Sequence, residues 1–286
     1  MEDRRNIASL NLLRIWAAIG VMVAHFAAHL HSQLGVSIER VDRLNFVDLF
    51  FVISGFLLFQ VYGGKVLTSQ GYWRFLRQRF ARLYPLHVAT CLTLVLLGIV
   101  IAASGVDIRV PATFDAGQLP QHLLLVHAWN TVPSPGLNMP SWSLSAELFL
   151  LLLFPLLVRF QNAMGAYGAF AMAVAIAAAF GISRHMAGAT PWSEATFDFG
   201  MLRALPSFMA GMAAAAYFKS RPDWQLSWAV TLPLFCLVFG AMLADVRHEI
   251  TMLAFPVLVA CIASSDRRFS PAILHHRRVT FASNLT

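Results

Sequence analysis

Charged side chains are scarce in this chain of 286 residues: only 12% of its positions are Asp, Glu, Lys or Arg, whereas 58% are hydrophobic. Soluble domains carry about a quarter charged residues, so this composition argues against a protein whose main solvent is water. Cysteine is also scarce, and Cys91, Cys236 and Cys261 all lie inside apolar runs, where a thiol behaves as a small hydrophobe. We therefore predict neither a disulfide framework nor a metal site.

The hydrophobic residues are gathered into eight runs, and several are long enough to cross a bilayer, which takes roughly 20 residues as helix. The runs lie near residues 15–30, 46–62, 86–105, 148–160, 163–183, 199–218, 226–244 and 250–264. The first run continues past Ala27 without a clean small-residue cleavage site, so we interpret it as a retained helix. The sequence predicts an all-α, polytopic transmembrane helix bundle of about eight spans, forming a single domain over residues 1–286.

Basic residues are distributed unevenly among the connections, which orients the bundle because short cytoplasmic loops gather Lys and Arg. Clusters at 4–5, 65–82, 219–221 and 267–278 fall on one side of an eight-span arrangement. This predicts a multi-pass protein of a bacterial-type cytoplasmic (inner) membrane, with its N-terminus in the cytoplasm. Membrane lipid then explains the net charge of +7, since a basic rim faces anionic headgroups, and no nucleic-acid partner is expected.

The first apolar run carries two ionisable residues, which are costly inside a bilayer and are therefore candidates for function. Arg14 and His25 are eleven residues apart, close to three helical turns, so they point to one helix face about 16 Å apart. Taken alone, the pair also fits an arginine that reaches the cytoplasmic interface and a histidine that bonds a neighbouring helix.

The second run contains FFVISGF at 50–56, which puts two small residues, Ser54 and Gly55, near mid-span. Small residues let either another helix or a thin substrate approach closely. Asp48 precedes them and is interpreted as marking the outer end of the span.

A basic and aromatic segment from Tyr72 to Pro85 follows the second run. We predict that it forms a short interfacial helix, which Pro85 ends before the third span. Arg79 and Arg82 would lie on one face of this helix, and paired guanidinium groups suit a phosphate or diphosphate. A lipid-bound anchor on the cytoplasmic side is the alternative interpretation. The segment 106–142 is expected to be the longest outer connection.

A carboxylate, Glu147, enters the start of the fourth run within the sequence PSWSLSAELF at 140–149. A buried carboxylate needs a cationic or hydrogen-bonding partner. Part of this pattern is ordinary helix N-terminal chemistry, with Ser143 as the cap and Glu147 in the first turns.

Together these segments resemble the acyltransferase-3 family of membrane proteins. The resemblance rests on Arg14 and His25, FFVISGF at 50–56, Arg79-x-x-Arg82 followed by Tyr84-Pro85, and WSLSAE at 142–147, in family order. It covers about residues 7 to 160 by motif and the remainder by hydropathy. Family members usually carry ten membrane helices, so the resemblance implies that the last two are missing here.

The resemblance implies an O-acetyltransferase-like enzyme of cell-surface carbohydrates. It would move an acyl group, acetyl first among the candidates, from cytoplasmic acyl-CoA to a hydroxyl of a carbohydrate or glycolipid acceptor on the outer side. No permanently bound cofactor is implied, because acyl-CoA (acetyl-CoA) is the donor substrate. Arg79, Arg82, Ser54 and Gly55 would bind this donor.

The catalytic residues implied are His25, Arg14 and Glu147. His25 would act either as general base on the acceptor hydroxyl or as a covalent acyl relay, since imidazole titrates near neutrality. Glu147 would orient His25 or offset Arg14. The rival function is a transporter or flippase of a lipid-linked sugar, because intramembrane ionisable residues also line transport paths, although the sequence shows no internal repeat of the transporter kind.

Overall fold

The computed structural model of the chain describes residues 8–34, 46–105, 114–244 and 246–269. These residues form eight α-helices joined by short 3₁₀ segments and turns, and no strand occurs among them. The helices are α1 (Ala8–Leu34), α2 (Phe46–Tyr62), α3 (Ser69–Ser104), α4 (Leu119–Leu123), α5 (Trp142–Met186), α6 (Gly200–Ser220), α7 (Trp228–Leu243) and α8 (His248–Arg268).

Seven of the eight described helices overlap the apolar runs, with α5 covering two of them and α4 none, which confirms the predicted all-α membrane bundle. By length and composition, three segments of the described chain can cross a membrane: Ser69–Ser104, Met139–Met186 and His248–Arg268. Shorter apolar helices occupy Ser9–Ala24, Phe46–Tyr62 and Trp228–Leu243.

Helix α3 runs through Pro85 without interruption, so the prediction that this proline ends a separate interfacial helix is wrong. A proline removes one backbone hydrogen bond, but membrane helices tolerate it because neighbouring groups satisfy the freed carbonyl. The Thr68 side chain caps the start of α3 by accepting from Gly71 N at 3.2 Å, and Gly105, with φ 71, ends it. Only 11% of the most apolar 18-residue stretch of α3 is buried, so most of this stretch presents a surface suited to lipid.

Helix α5 joins two predicted runs across Gly165, whose φ of 67 and ψ of −176 are not helical. Glycine is the residue that adopts such angles without a steric penalty. The predicted Ser143 cap is not formed, because α5 begins at Trp142 and the Ser143 hydroxyl donates to the Pro140 carbonyl at 3.3 Å.

The chain divides into two compact units, and the first comprises Met1–Gln60, Met164–Phe170 and Ser207–Thr286. In this unit α8 packs against α7 and α1. The backbone N–H and hydroxyl of Ser9 both donate to the Asp266 carboxylate, at 2.9 and 2.5 Å, which fastens the start of α1 to the end of α8.

Helices α2 and α6 touch through their backbones within the first unit. A Cβ atom at Gly55 would collide with the Phe208 carbonyl, and one at Gly211 would collide with the Val52 carbonyl. Glycine on both helices therefore permits the close approach that membrane helix packing requires.

The second unit comprises Val61–Ala163 and Ala171–Pro206. Here the first part of α3 contacts the first part of α5. The Tyr72 hydroxyl donates to the Leu152 carbonyl at 3.0 Å, and the Phe75 and Phe154 rings pack with centroids 5.3 Å apart.

The described part of the connection between α3 and α5, residues 114–141, folds back along α3. A Cβ atom at Gly98 would stand 2.7 Å from Phe114 Cβ, and His87 Nε2 lies 2.8 Å from the carbonyl oxygen of His122. Eleven residues of helix separate Gly98 from His87, or about 16 Å. The sequence predicts an outer connection here, and the structure shows in addition that this segment packs against the surface of α3.

Candidate functional site

A small, open groove with room for about one water molecule lies beside α3 and α5 in the second unit. Its lining residues are Arg79, Phe80, Leu83, Tyr84, Leu125, Leu144, Leu148 and Leu151. Arg79 and Tyr84 are among these residues, but the accessible surface of the groove is hydrocarbon.

The guanidinium of Arg79 is held in place by aromatic rings. Its Cζ atom lies 5.6 Å from the Tyr62 ring centroid and 5.9 Å from that of Phe75. Such cation–π contacts orient the charge without neutralising it. The charged guanidinium of Arg79 is therefore positioned beside the Tyr62 and Phe75 rings.

Arg82 follows one turn later on α3 and interacts electrostatically with Arg79, Glu147 and Tyr62. The half-buried Glu147 carboxylate thus has a cationic neighbour on α3. Arg79 and Arg82 repel each other, so an anion bound near both would be stabilised by each of them. The predicted roles of Glu147 toward His25 and Arg14 stay predictions.

The other predicted site residues lie in the first unit. Arg14 is half-buried on α1, whose backbone is helical through position 25. The side chain of His25 lies outside the described part of the structure, so the shared stripe of Arg14 and His25 stays a prediction. The room provided by Gly55 is occupied by α6, and a donor-binding role for Ser54 and Gly55 also stays a prediction.

Asp48 is more than a marker of the outer end of α2. It lies in the first turn of that helix but is fully buried, with its carboxylate 3.5 Å from His248 Nε2 on α8. The hydroxyl of Ser207 on α6 also lies 3.5 Å from the carboxylate. A carboxylate in an apolar run was visible in the sequence, but partners so distant along the chain were not.

A cluster of polar side chains that the sequence did not bring together lies where 114–141 packs on α3. We call it the polar cluster, and its members are His87, Gln118, Gln121, His122 and His127. The rings of His122 and His127 stack with centroids 3.9 Å apart at 14°, and the ring of His87 lies 6.0 Å from that of His127.

Burial sets the charge state of the polar cluster. Loss of solvation, followed by the charge of His87, lowers the pKa of His122 to about 4. Loss of solvation and then His122 lower the pKa of His127 to about 3. Both rings are therefore neutral near pH 7. Among the described residues no group of three His, Cys, Asp or Glu side chains is arranged to hold a metal ion.

Leu125 connects the groove with the polar cluster. It lines the groove, and it stands between His122 and His127 in the chain. Its φ of 54 is uncommon for a bulky side chain and is held by surrounding contacts. The groove and the polar cluster therefore share one wall.

Comparison with known proteins identifies the family to which this chain belongs. A family model described as an acyltransferase domain, of the acyltransferase-3 type, matches residues 7–285. The chain therefore belongs to the acyltransferase-3 family, which confirms the predicted resemblance.

Two relatives are similar to parts of the chain. Acyltransferase MdmB of Streptomyces mycarofaciens is 34% identical over 160 residues, which cover 54% of this chain and 39% of that protein. Protein 2 in picA locus of Rhizobium radiobacter is 32% identical over 140 residues, which cover 44% of this chain and 72% of that protein. The chain thus spans well under half of the first relative. No solved structure matches it.

Proposed function

We propose that this chain takes an acyl group, acetyl first among the candidates, from cytoplasmic acyl-CoA and passes it to a hydroxyl of a carbohydrate or glycolipid on the outer side. Family membership supports acyl transfer. The basic clusters between helices support a cytoplasmic (inner) membrane location with the N-terminus inside. The observation that carries the donor assignment is the pair of Arg79 and Arg82, one turn apart on α3 beside an apolar groove.

The groove suits acyl-CoA because that molecule joins anionic phosphates to a slender, uncharged arm. Phosphate oxygens form strong, charge-assisted hydrogen bonds with guanidinium groups, which Arg79 and Arg82 would supply. The uncharged arm and the acyl group would lie along the apolar surface of the groove, while the nucleotide head stays outside.

In the reaction, the acceptor oxygen forms an ester bond with the acyl carbon and the thioester C–S bond breaks, so that CoA leaves as its thiol. The proton lost by the acceptor hydroxyl is the proton gained by the thiol. His25 would carry it as general base, or would first accept the acyl group and then pass it on. Glu147 would orient Arg82, with which it interacts electrostatically.

The test uses the full chain reconstituted in vesicles that contain a membrane glycolipid extract, with radiolabelled acetyl-CoA supplied to the cytoplasmic face. We expect label to appear in the glycolipid fraction as a base-labile ester, together with free CoA. The His25→Ala variant is the inactive control. Movement of glycolipid across the bilayer without ester formation would contradict the proposal and favour the transporter or flippase.

A further inference from the structure

The polar cluster contains buried polar atoms that lack a hydrogen-bond partner among the described residues. They are Gln118 Oε1, Gln121 Oε1, both ring nitrogens of His122, and Nδ1 of His127. The two histidines are almost completely inaccessible, at 0% and 1% exposure. Buried polar atoms are nearly always hydrogen-bonded in folded proteins, because an unmade bond is costly. Five such atoms in one cluster indicate a binding site in which a ligand supplies the missing hydrogen bonds.

The Gln118 side chain is fixed in a binding orientation. Its Nε2 donates to Asp115 Oδ2 at 3.2 Å and to Ser134 Oγ at 3.0 Å. Because a carboxylate only accepts, this network assigns the amide and leaves Oε1 as the unused acceptor. A Cβ atom added at Gly136 would collide with Gln118 Oε1 and stand 3.2 Å from His122 Nε2. These two polar atoms therefore lie beside the Gly136 backbone, at the place that a side chain would occupy.

The histidine rings are also held from outside the site. His87 Nε2 donates to the carbonyl of His122 at 2.8 Å, which ties the backbone of α4 to α3. The Ser141 hydroxyl lies 3.0 Å from His127 Nε2 and 2.6 Å from the Asn138 carbonyl. A site whose partners are locked in this way loses little conformational entropy when a ligand binds.

The chemistry of the unused atoms defines the ligand. Two amide oxygens require hydrogen-bond donors, whereas a neutral imidazole offers one donor and one acceptor, so the ligand must both donate and accept. Neutral imidazoles and amides attract neither a strong anion nor a hard cation. Hydroxyl groups satisfy these conditions, since each has one donor and two acceptor positions.

We propose that the polar cluster binds a hydroxyl-bearing part of the acyl acceptor, across the wall of Leu125 from the groove. This inference rests on the proposed function, in which the groove takes acyl-CoA. The cluster would bring the acceptor to the donor, and His25 would remain the group that moves the proton or the acyl chain.

The test measures the thermal unfolding midpoint of the full chain in lipid nanodiscs that contain no sugar-based detergent and no acyl-CoA. The probes are methyl glycosides of glucose, galactose and mannose. We expect at least one glycoside to raise the Tm of the wild type. His122→Phe should keep or raise the Tm of the free protein, because it removes two unbonded nitrogens, and should abolish the glycoside shift.

Two further variants sharpen the measurement. Gln121→Leu should require about tenfold more glycoside for the same shift, as expected when one or two neutral hydrogen bonds are lost. His185→Phe is the matched control, because His185 is exposed near the end of α5 and should leave the shift unchanged.

Three outcomes would overturn the inference: no Tm shift with any of the glycosides, a shift that survives in His122→Phe, or a shift with Zn²⁺ that the glycosides do not reduce. The last would identify a metal site. Because no acyl-CoA is present, glycoside binding without transfer in the vesicle assay would contradict only the proposed function. Transfer without glycoside binding would contradict only this inference.

Discussion

The hydroxyl of Ser145 on α5 donates a 2.7 Å hydrogen bond to the carbonyl of Leu125. The same buried oxygen accepts a 3.0 Å bond from the backbone N–H of Ala128. One side chain therefore holds both ends of the turn that carries the wall between the groove and the polar cluster. This contact explains how Leu125 keeps a φ of 54 that would otherwise be unfavourable.

Ser145→Ala should destabilise the protein by about 2 kcal/mol, because it leaves the Leu125 carbonyl and the Ala128 N–H buried and unbonded. The measurement is unfolding in detergent micelles followed by helical circular dichroism. Ser143→Ala is the control from the same motif, since Ser143 is only half-buried and should change stability by less than about 0.5 kcal/mol. Equal effects of the two substitutions would show that the Ser145 bonds are unimportant.

Gly211→Ala should destabilise the first unit by about 1–3 kcal/mol, because the new Cβ atom would collide with the Val52 carbonyl and force α2 and α6 apart. Unfolding in micelles and the yield of folded protein both report this change. Gly240→Ala is the matched control, because it lies in α7 with nothing within 4 Å of its Cβ position, and it should be neutral or slightly stabilising. A neutral Gly211→Ala would contradict the close backbone contact.

Acid should destabilise the chain partly through His122 and His127. Their pKa values are lowered to about 4 and about 3 in the folded state, so the unfolded chain binds more protons between these values and about 6.5. Their contribution is fully present above about pH 6.5 and is lost as the pH falls toward the folded pKa values, by about 1.4 kcal/mol per pH unit for each histidine.

The measurement compares unfolding midpoints at pH 7 and pH 5 for the wild type and for a His122→Phe, His127→Phe double variant. The double variant should lose less stability on acidification than the wild type. His185→Phe should behave as the wild type does, because His185 is exposed. Identical acid sensitivity in all three proteins would refute the depressed pKa values.

The His25→Ala substitution should lower acyl transfer by at least about 10²-fold, the lower end of the usual contribution of a general base. Binding of acyl-CoA should be largely unchanged, since the donor phosphates are assigned to arginines. The measurement combines the vesicle transfer assay with equilibrium dialysis of radiolabelled acetyl-CoA. Near-normal transfer in this variant would remove His25 from the mechanism.

Local patterns in the sequence predicted the helices well, because an apolar run long enough to span a bilayer has few alternatives to a helix. The prediction failed at Pro85, where a rule derived from soluble helices was applied to a chain that continues through the proline. Gly55 was recognised as a point of close approach, but its partner on α6 depends on which helices become neighbours.

The sequence could not predict the polar cluster either, because the cluster also depends on which segments of the chain become neighbours. His87 belongs to α3, whereas His122 and His127 belong to a connection with no helical or strand periodicity that would indicate its path. They meet only because residues 114–141 fold back along α3. Asp48 gave a usable signal, an ionisable residue in an apolar helix, whereas its neighbours Ser207 and His248 gave none.

The central claim is that Arg79 and Arg82 bind the phosphates of acyl-CoA beside the groove. An Arg79→Ala, Arg82→Ala double variant removes this pair. An Arg74→Ala, Arg77→Ala double variant removes the same charge from exposed positions of the same helix. The second variant therefore separates a specific phosphate site from general attraction between a basic helix and an anion.

The most direct measurement is the Kd of radiolabelled acetyl-CoA for the full chain and both double variants, by equilibrium dialysis in nanodiscs at physiological salt. Our account predicts that loss of Arg79 and Arg82 raises the Kd more than about tenfold, because charge-assisted hydrogen bonds are lost, and that loss of Arg74 and Arg77 changes it far less. Equal Kd values for the wild type and the Arg79 and Arg82 variant would contradict the account.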